Sequence, residues 1–237
     1  MSEIYDRQVK LFGKENQQKL EDSLSLVVGC GGLGSNVANL LARSGIDLRL
    51  VDGDVVEESN IHRTLYRRKD TGRNKAVVMK ELIEESCSAE VRAFSENFSS
   101  DTEEYLKDVG VVVDCLDNME TRYLLNRFCM ERGIPLVHGS VVGYEGRSMT
   151  FLPDQGPCFR CLYPEKPSSN VLKSCSEEGV SNFAVSFIAS FQASEVVKYL
   201  TSEGTANQRL LKTNLKENEI RYIQVNKREN CEACSSV

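Results

Sequence analysis

No apolar run in this chain reaches the length of a membrane span. The least charged stretch, residues 179–194, is too short and is interrupted by Ser181, Asn182, Ser186, Ser190 and Gln192. It reads as a buried helix, and no membrane partner is expected. A secretory leader is missing too, because Asp6, Arg7, Lys10, Lys14, Glu15 and Lys19 stand where an apolar core would be needed. Basic charge is in deficit. The net charge of −6 at pH 7 argues against nucleic acid as the main partner, while leaving room for a local basic pocket. Only two histidines occur, and His62 and His138 lack the partner spacing of a zinc site or a catalytic triad. His138, at a strand end, reads as a packed or hydrogen-bonded histidine. Internal repeats and low-complexity linkers are absent as well.

What is present is ordinary globular composition over 237 residues, enough to bury a large core in one domain, with or without a small appendage. Nine cysteines without a leader point to a reducing compartment, the cytoplasm, where thiols serve as metal ligands, reactive groups or packing residues. Cys30, Cys87, Cys115 and Cys129 read as packing residues.

The hydrophobic pattern predicts an alternating α/β chain. Residues 4–20 read as helical and 24–28 as a strand. A glycine turn, Gly29-Cys30-Gly31-Gly32-Leu33-Gly34, leads into a helix carrying Val37, Leu40 and Leu41, which Gly45 can cap. Residues 48–51 form a second strand ending at Asp52. Helices are predicted at 73–85 and 119–132, and strands at 91–94, 111–113 and 135–137. This alternation implies a Rossmann-like, mostly parallel sheet covered by helices on both faces. After about Gly143 the pattern changes. Residues 147–151 read as a strand, 158–173 as a loop rich in Pro and Ser, 180–200 as a long helix and 220–225 as an edge or antiparallel strand.

A glycine turn between a strand and a helix lets the backbone approach a phosphate, and the helix N-terminus offers free N–H groups to the anion. Asp52, about twenty residues on, can accept hydrogen bonds from ribose hydroxyls. These features alone fit a nicotinamide enzyme as well as an ATP enzyme. Downstream lie Asn60, Arg63, Arg67, Arg68, Arg73 and Lys75, a cationic concentration in an acidic chain. A triphosphate attacked at its α-phosphate needs more balancing charge than a dinucleotide does. For Arg67, Arg68 and Lys69 a solvated charge run is the simpler reading. Asp117, just past the third clear strand, lies at the ligand-collecting end of a parallel sheet and suits Mg²⁺; by residue type it could equally cap the helix that follows. Asp114 could serve a cap or turn.

Two pairs, Cys158-Phe-Arg-Cys161 and Cys231-Glu-Ala-Cys234, have metal-ligand spacing. Four thiolates suit a structural Zn²⁺ site better than a redox pair and would clasp the later segment to the Cys158 loop.

Taken in order, Tyr5-Asp6-Arg7-Gln8, Gly29 to Gly34, Val51-Asp52-Gly53-Asp54, Ser59-Asn60-Ile61-His62-Arg63, Gly72-Arg73-Asn74-Lys75, Asp114-Cys115-Leu116-Asp117-Asn118 and the two cysteine pairs make a specific set. Over essentially its full length the chain resembles the ubiquitin-activating-enzyme-like ThiF/MoeB/HesA adenylyltransferases. The resemblance implies one adenylation domain over 1–237, with a nucleotide-binding half to about 142 and a carrier-binding, zinc-bearing half from about 143. It implies ATP and Mg²⁺, with Gly29, Gly31, Gly32 and Gly34 under the nucleotide and Asp52 on the ribose. Asp54 and Ser59 lie in the matching nucleotide segments, Asn60, Arg63 and Lys75 would meet the phosphates, and Asp117 beside Asn118 would hold the metal. Arg7 would reach the triphosphate of the other subunit in a homodimer. The implied substrate is a small ubiquitin-like or sulfur-carrier protein ending in Gly-Gly, whose carboxylate attacks the α-phosphate to give an acyl-adenylate and pyrophosphate. The residues depart from the pattern at Thr64 and Asn74, without loss of a phosphate contact. No sulfurtransferase-like domain is seen, so a thiocarboxylate product would call for a separate sulfur donor. Cys175 is an open catalytic candidate: a loop thiol near Lys173 could attack the adenylate or accept sulfur, while Glu177 and Glu178 oppose its ionisation. The alternatives are an NAD-dependent oxidoreductase and a non-catalytic scaffold.

Overall fold

The computed structural model describes residues 3–165 and 178–234. The strands are β1 (Leu24–Val28), β2 (Asp47–Val51), β3 (Val91–Phe94), β4 (Val111–Asp114), β5 (Leu136–Val142), β6 (Glu145–Phe151), β7 (Leu210–Asn214) and β8 (Glu219–Ile223). The helices are α1 (Asp6–Glu21), α2 (Gly32–Arg43), α3 (Lys75–Glu84), α4 (Met119–Glu131), the short α5 (Phe159–Leu162) and α6 (Asn182–Thr201). All eight strands form one sheet in the order β3-β2-β1-β4-β5-β6-β7-β8. The pairs from β3 to β5 are parallel, and those from β5 to β8 are antiparallel.

Strand order reverses between β1 and β4, so their connections leave on opposite faces and open a crevice at the carboxyl ends. Alternation along each strand feeds two cores. Val27, Val111, Val113 and Val137 pack against α2, α3 and α6, while Leu26, Val28, Val112 and Leu136 face the side of α4 and the cysteine pairs. Along α2, Leu33, Val37, Ala38, Leu41 and Ala42 fall at helical spacing on the buried face. Gly45, with φ of +96°, stops that helix just beyond its C-cap, Ser44.

Some expected boundaries move. Asn74, not Arg73, begins the third helix: its side chain accepts from the Val77 N–H as an N-cap. The strand expected at 135–137 extends through Val142, because the tight turn to β6 lets both strands pair along their whole length. A short helix and the cysteine cluster occupy part of the stretch expected to be loop. β7 escaped sequence reading. β8, expected as an edge or antiparallel strand, is that edge, with all five residues exposed.

Candidate active site

Two glycines make the turn after β1 possible. At Gly34 a Cβ would stand 1.8 Å from the Gly29 carbonyl oxygen; at Gly29, where φ is +89°, it would stand 2.7 Å from the Cys115 carbonyl oxygen. The loop is therefore pressed against the end of β4. Gly31, by contrast, meets nothing within 4 Å. It is the N-cap of α2 and supplies no capping side chain, so the helix presents its first-turn N–H groups toward open space.

Asp52, at the end of β2, is buried and grips this loop. One carboxylate oxygen accepts from the Cys30 N–H at 2.6 Å, and the other from the Asp54 N–H at 2.8 Å. Burial raises its pKa above the usual carboxylate value, against the opposing pull of these two donors and Lys75. The hydroxyl of Tyr66 donates to the Cys30 carbonyl at 2.6 Å and lies 3.2 Å from that of Lys75, tying the glycine loop to the first residue of α3. Asn74 reaches back from the same helix end to the carbonyls of Asp52 and Asp54. Together these bonds bring Lys75 beside the loop, with its ammonium 2.8 Å from Asp54.

Arg63 arrives from the helical turn at Glu58–Arg63. Its aliphatic stem passes Gly32, where an added Cβ would lie 3.5 Å away, and its guanidinium donates to the Ser59 carbonyl at 2.7 Å. Asn36 of α2 donates to the carbonyls of both Gly32 and Arg63. Asn60 is buried and engaged locally: its Oδ1 accepts from the Glu57 N–H and its Nδ2 donates to the Ser59 hydroxyl. The wider cationic cluster does not assemble. Arg67 pairs with Asp70 and Glu85, Arg68 with Glu58, and Arg73 with Glu81 and Asp70. For Arg73 this corrects the expectation, because its guanidinium sits 2.5 Å from Glu81 on the outside of α3.

Across the crevice, Asp117 follows β4. The structure settles which residue caps α4: Asn118, whose Oδ1 accepts from the Thr121 N–H at 2.9 Å. Asp117 is exposed and has no hydrogen-bond or ion-pair partner among the described residues. Behind it lies a charged group that sequence reading missed. Asp114 accepts from His138 Nδ1 at 2.6 Å, pairs with Arg122 at 3.3 Å, and accepts the Leu116 N–H at 3.0 Å. Burial by itself would raise Asp114, but Arg122, His138 and the Leu116 N–H together hold it below the usual carboxylate value. Burial lowers His138 despite the aspartate beside it. His138 is thus hydrogen-bonded, as expected, and the Asp114 carboxylate does serve a turn.

Arg7 does not reach the glycine loop of its own chain. The next residue, Gln8, donates to the Ser44 carbonyl at the far end of α2, about 18 Å of helix away. Arg7 is exposed on α1. Cys175 lies outside the described residues.

The four cysteines Cys158, Cys161, Cys231 and Cys234 are buried, with their sulfurs all within 4.8 Å of one another. The sulfurs lie 4.0 Å apart within the first pair, 3.6 Å from Cys158 to Cys231 and 3.5 Å from Cys161 to Cys234. A tetrahedral zinc site with bonds of about 2.3 Å has sulfur–sulfur edges of about 3.8 Å. The donor set therefore fits zinc, and it is far too open for disulfides, whose sulfurs lie about 2 Å apart.

A model of the ThiF family matches residues 5–233. The chain belongs to the ThiF family. Among similar ThiF proteins, "Adenylyltransferase and sulfurtransferase MOCS3" of Dictyostelium discoideum is 39% identical over 98% of this chain and 57% of its own length. "SAMP-activating enzyme E1" of Haloferax volcanii is 40% identical over 82% of this chain and 73% of its own length. The chain spans little more than half the length of the MOCS3 relative. Among solved structures, E. coli MccB with AMPCPP and MccA superimposes with a TM-score of 0.85 at 20% identity, over 98% of this chain and 74% of that one. That likeness concerns the fold. PaaA follows with a TM-score of 0.81 at 25% identity, over 95% of this chain and 74% of that one. No helix among the described residues of this ThiF protein is long and apolar enough to cross a membrane.

Proposed function

We propose that the chain is an ATP-dependent adenylyltransferase. In this reading it activates the C-terminal Gly-Gly carboxylate of a ubiquitin-like or sulfur-carrier protein as an acyl-adenylate, with release of pyrophosphate. One observation carries the proposal: the open N-terminus of α2 at Gly31 gathers Arg63, whose stem passes Gly32, with Lys75 beside the same loop, while the turn after β4 that packs on Gly29 at Cys115 leads to Asp117, which is exposed and without a partner among the described residues. Its named relatives include adenylyltransferases and an E1.

The chemistry suits these residues. A terminal carboxylate is already ionised at neutral pH, so attack on the α-phosphorus needs no general base. The obstacle is the meeting of two anions. Lys75, Arg63 and the α2 N–H groups would neutralise the phosphates, and Asp52 would orient the ribose. Mg²⁺, held through Asp117, would supply Lewis-acid stabilisation of the phosphate charge. Gly29, Gly32 and Gly34 let the loop lie under the nucleotide. Asp54, Ser59, Asn60 and Asn118 frame the site. Arg7 would come from a second copy of the chain. The four cysteines would hold Zn²⁺ with no open position, as a structural clasp. Residues 1–142 would form the nucleotide half and 143–237 the carrier half. A thiocarboxylate product would take a sulfur donor in a second step, and the reducing cytoplasm is the compartment that suits eight described cysteines, none in a disulfide. An oxidoreductase would use the glycine loop and Asp52 but would leave Lys75 and Asp117 without a task.

The test is ATP–pyrophosphate exchange with recombinant proteins ending in Gly-Gly. Exchange with at least one, lost when its last glycine is removed, is the expected result. ATP binding without exchange in the presence of any such protein would overturn the proposal.

A further inference from the structure

A metal-binding carboxylate has two conflicting needs. Its oxygens must stay unspent, and the backbone carrying it must not move. Asp117 meets the first by having no partner among the described residues. The second is met by its neighbours. On one side, Leu116 is held at both of its backbone groups: its N–H by Asp114 Oδ1 at 3.0 Å, and its carbonyl by a short bond from the Arg122 guanidinium. On the other, Asn118 is fixed as the cap of α4. The same guanidinium donates to the Gly139 carbonyl at 3.1 Å, so the loop is anchored to β5 as well as to β4.

We infer that Arg122, backed by Asp114 and His138, is the positioning unit that holds Asp117 toward the metal–nucleotide complex. This rests on the reading of Asp117 as a metal ligand given above. The energetics favour a functional over a merely stabilising role. All three side chains are buried. Replacing a buried ion pair with apolar residues of similar volume is often neutral or stabilising, so stability alone does not account for an arginine and an aspartate here. Three features do point to placement. Arg122 directs Nε at Asp114 and Nη2 at the carbonyls of both Leu116 and Gly139. His138 Nδ1 fixes the second oxygen of Asp114. Gln192 of α6 donates to the Asp114 carbonyl at 3.0 Å and holds the strand end from the other face of the sheet.

The test uses the full chain, with ATP as the probe, measured by calorimetry once with Mg²⁺ and once with EDTA. The ratio of the two affinities reports the protein's contact with the metal. Asp117→Ala should bring the ratio toward one. Arg122→Lys keeps the charge but loses the planar fork, and should lower the ratio about tenfold, as loss of an outer support of a metal ligand does, while leaving metal-free ATP affinity and the melting temperature close to wild type. In the double variant Arg122→Lys should add nothing to Asp117→Ala. His138→Asn, which keeps an N–H donor, should preserve more of the ratio than His138→Phe. Equal loss of both affinities in Arg122→Lys, or additive effects in the double variant, would overturn the positioning role alone. An unchanged ratio in Asp117→Ala would instead remove the metal-ligand reading and this inference with it.

Discussion

The ammonium of Lys75 sits 2.8 Å from the Asp54 carboxylate, yet the two side chains live in different surroundings: Lys75 is 12% exposed and Asp54 is 69% exposed. The lysine is held in place and the aspartate is free to swing. An anion reaching Lys75 therefore competes only with a solvated, movable partner. Lys75→Ala should abolish pyrophosphate exchange while shifting stability by no more than about 1 kcal/mol, because half of its ion pair is solvated. Asp54→Asn should strengthen ATP binding at low salt, or leave it unchanged. A marked weakening, measured by calorimetry, would show that Asp54 itself holds the nucleotide.

Glycines of the loop should separate by role. Gly34→Ala places a Cβ 1.8 Å from the Gly29 carbonyl oxygen and should destabilise the fold by more than about 3 kcal/mol in denaturant titrations. Gly31→Ala meets nothing within 4 Å and should fold normally. It should nonetheless weaken ATP binding, since its methyl group would stand where a phosphate approaches the α2 N-terminus. Comparable stability losses in the two variants would contradict the assignment.

The placement of Arg7 beside the far end of α2 leads to a mixing experiment. Arg7→Ala and Lys75→Ala should each be inactive alone. Unfolded and refolded together, they should recover about a quarter of wild-type exchange, because half the dimers are mixed and each mixed dimer has one complete site. No recovery would place Arg7 outside the partner's site.

Metal analysis of the purified chain should find one zinc per chain. Cys234→Ser should lose it, with a drop in melting temperature that added zinc does not reverse. Chelation of the wild type should lower stability by several kcal/mol, since a metal bound only by the folded state adds its binding free energy to folding. Full metal loss with an unchanged melting curve would argue against a clasp.

A pH effect follows from His138. Burial holds its folded pKa below that of an unfolded histidine, so its neutral form stabilises the fold above about pH 6.5. As pH falls, the unfolded chain takes up the proton first and stability is lost. The melting temperature should decline between pH 7 and 5, and His138→Asn should flatten that decline. The decline is assignable to His138 because the chain has one other histidine, the exposed His62, and the raised carboxyl of buried Asp52 acts with the opposite sign, adding stability as pH falls. Asp114, held below the usual carboxylate value, titrates outside this window. Parallel curves for the two proteins would rule out His138 as the source.

Local pattern made β1, α2, β2 and the glycine turn legible, because each is specified by neighbouring residues. Its place just past the third clear strand marked Asp117, and geometry then removed its alternative as a helix cap by giving that role to Asn118. Charge was the poorest guide. Sequence read Arg67 and Arg68 as a solvated charge run, and nearby acids pair with both, but it counted Arg73 with Arg63 and Lys75, and Glu81 and Asp70 hold Arg73 instead. The Arg122–Asp114–His138 group was illegible because its members come from α4, β4 and β5, and only strand pairing brings them together; Asp114 and His138 are register partners. β7 was missed because Leu210–Asn214 is short and half of it reads as polar.

The cysteine cluster joins residues 73 positions apart in the chain, Cys158 to Cys231 and Cys161 to Cys234. During synthesis at 5–20 residues per second, the first pair would wait roughly 4–15 s for the second. Throughout that interval two thiols are open to stray copper, oxidants or each other, and α6, β7 and β8 must be laid down inside a ring not yet shut. The chain's vulnerability to metal stress is therefore greatest while it is being made and falls once the last cysteine arrives.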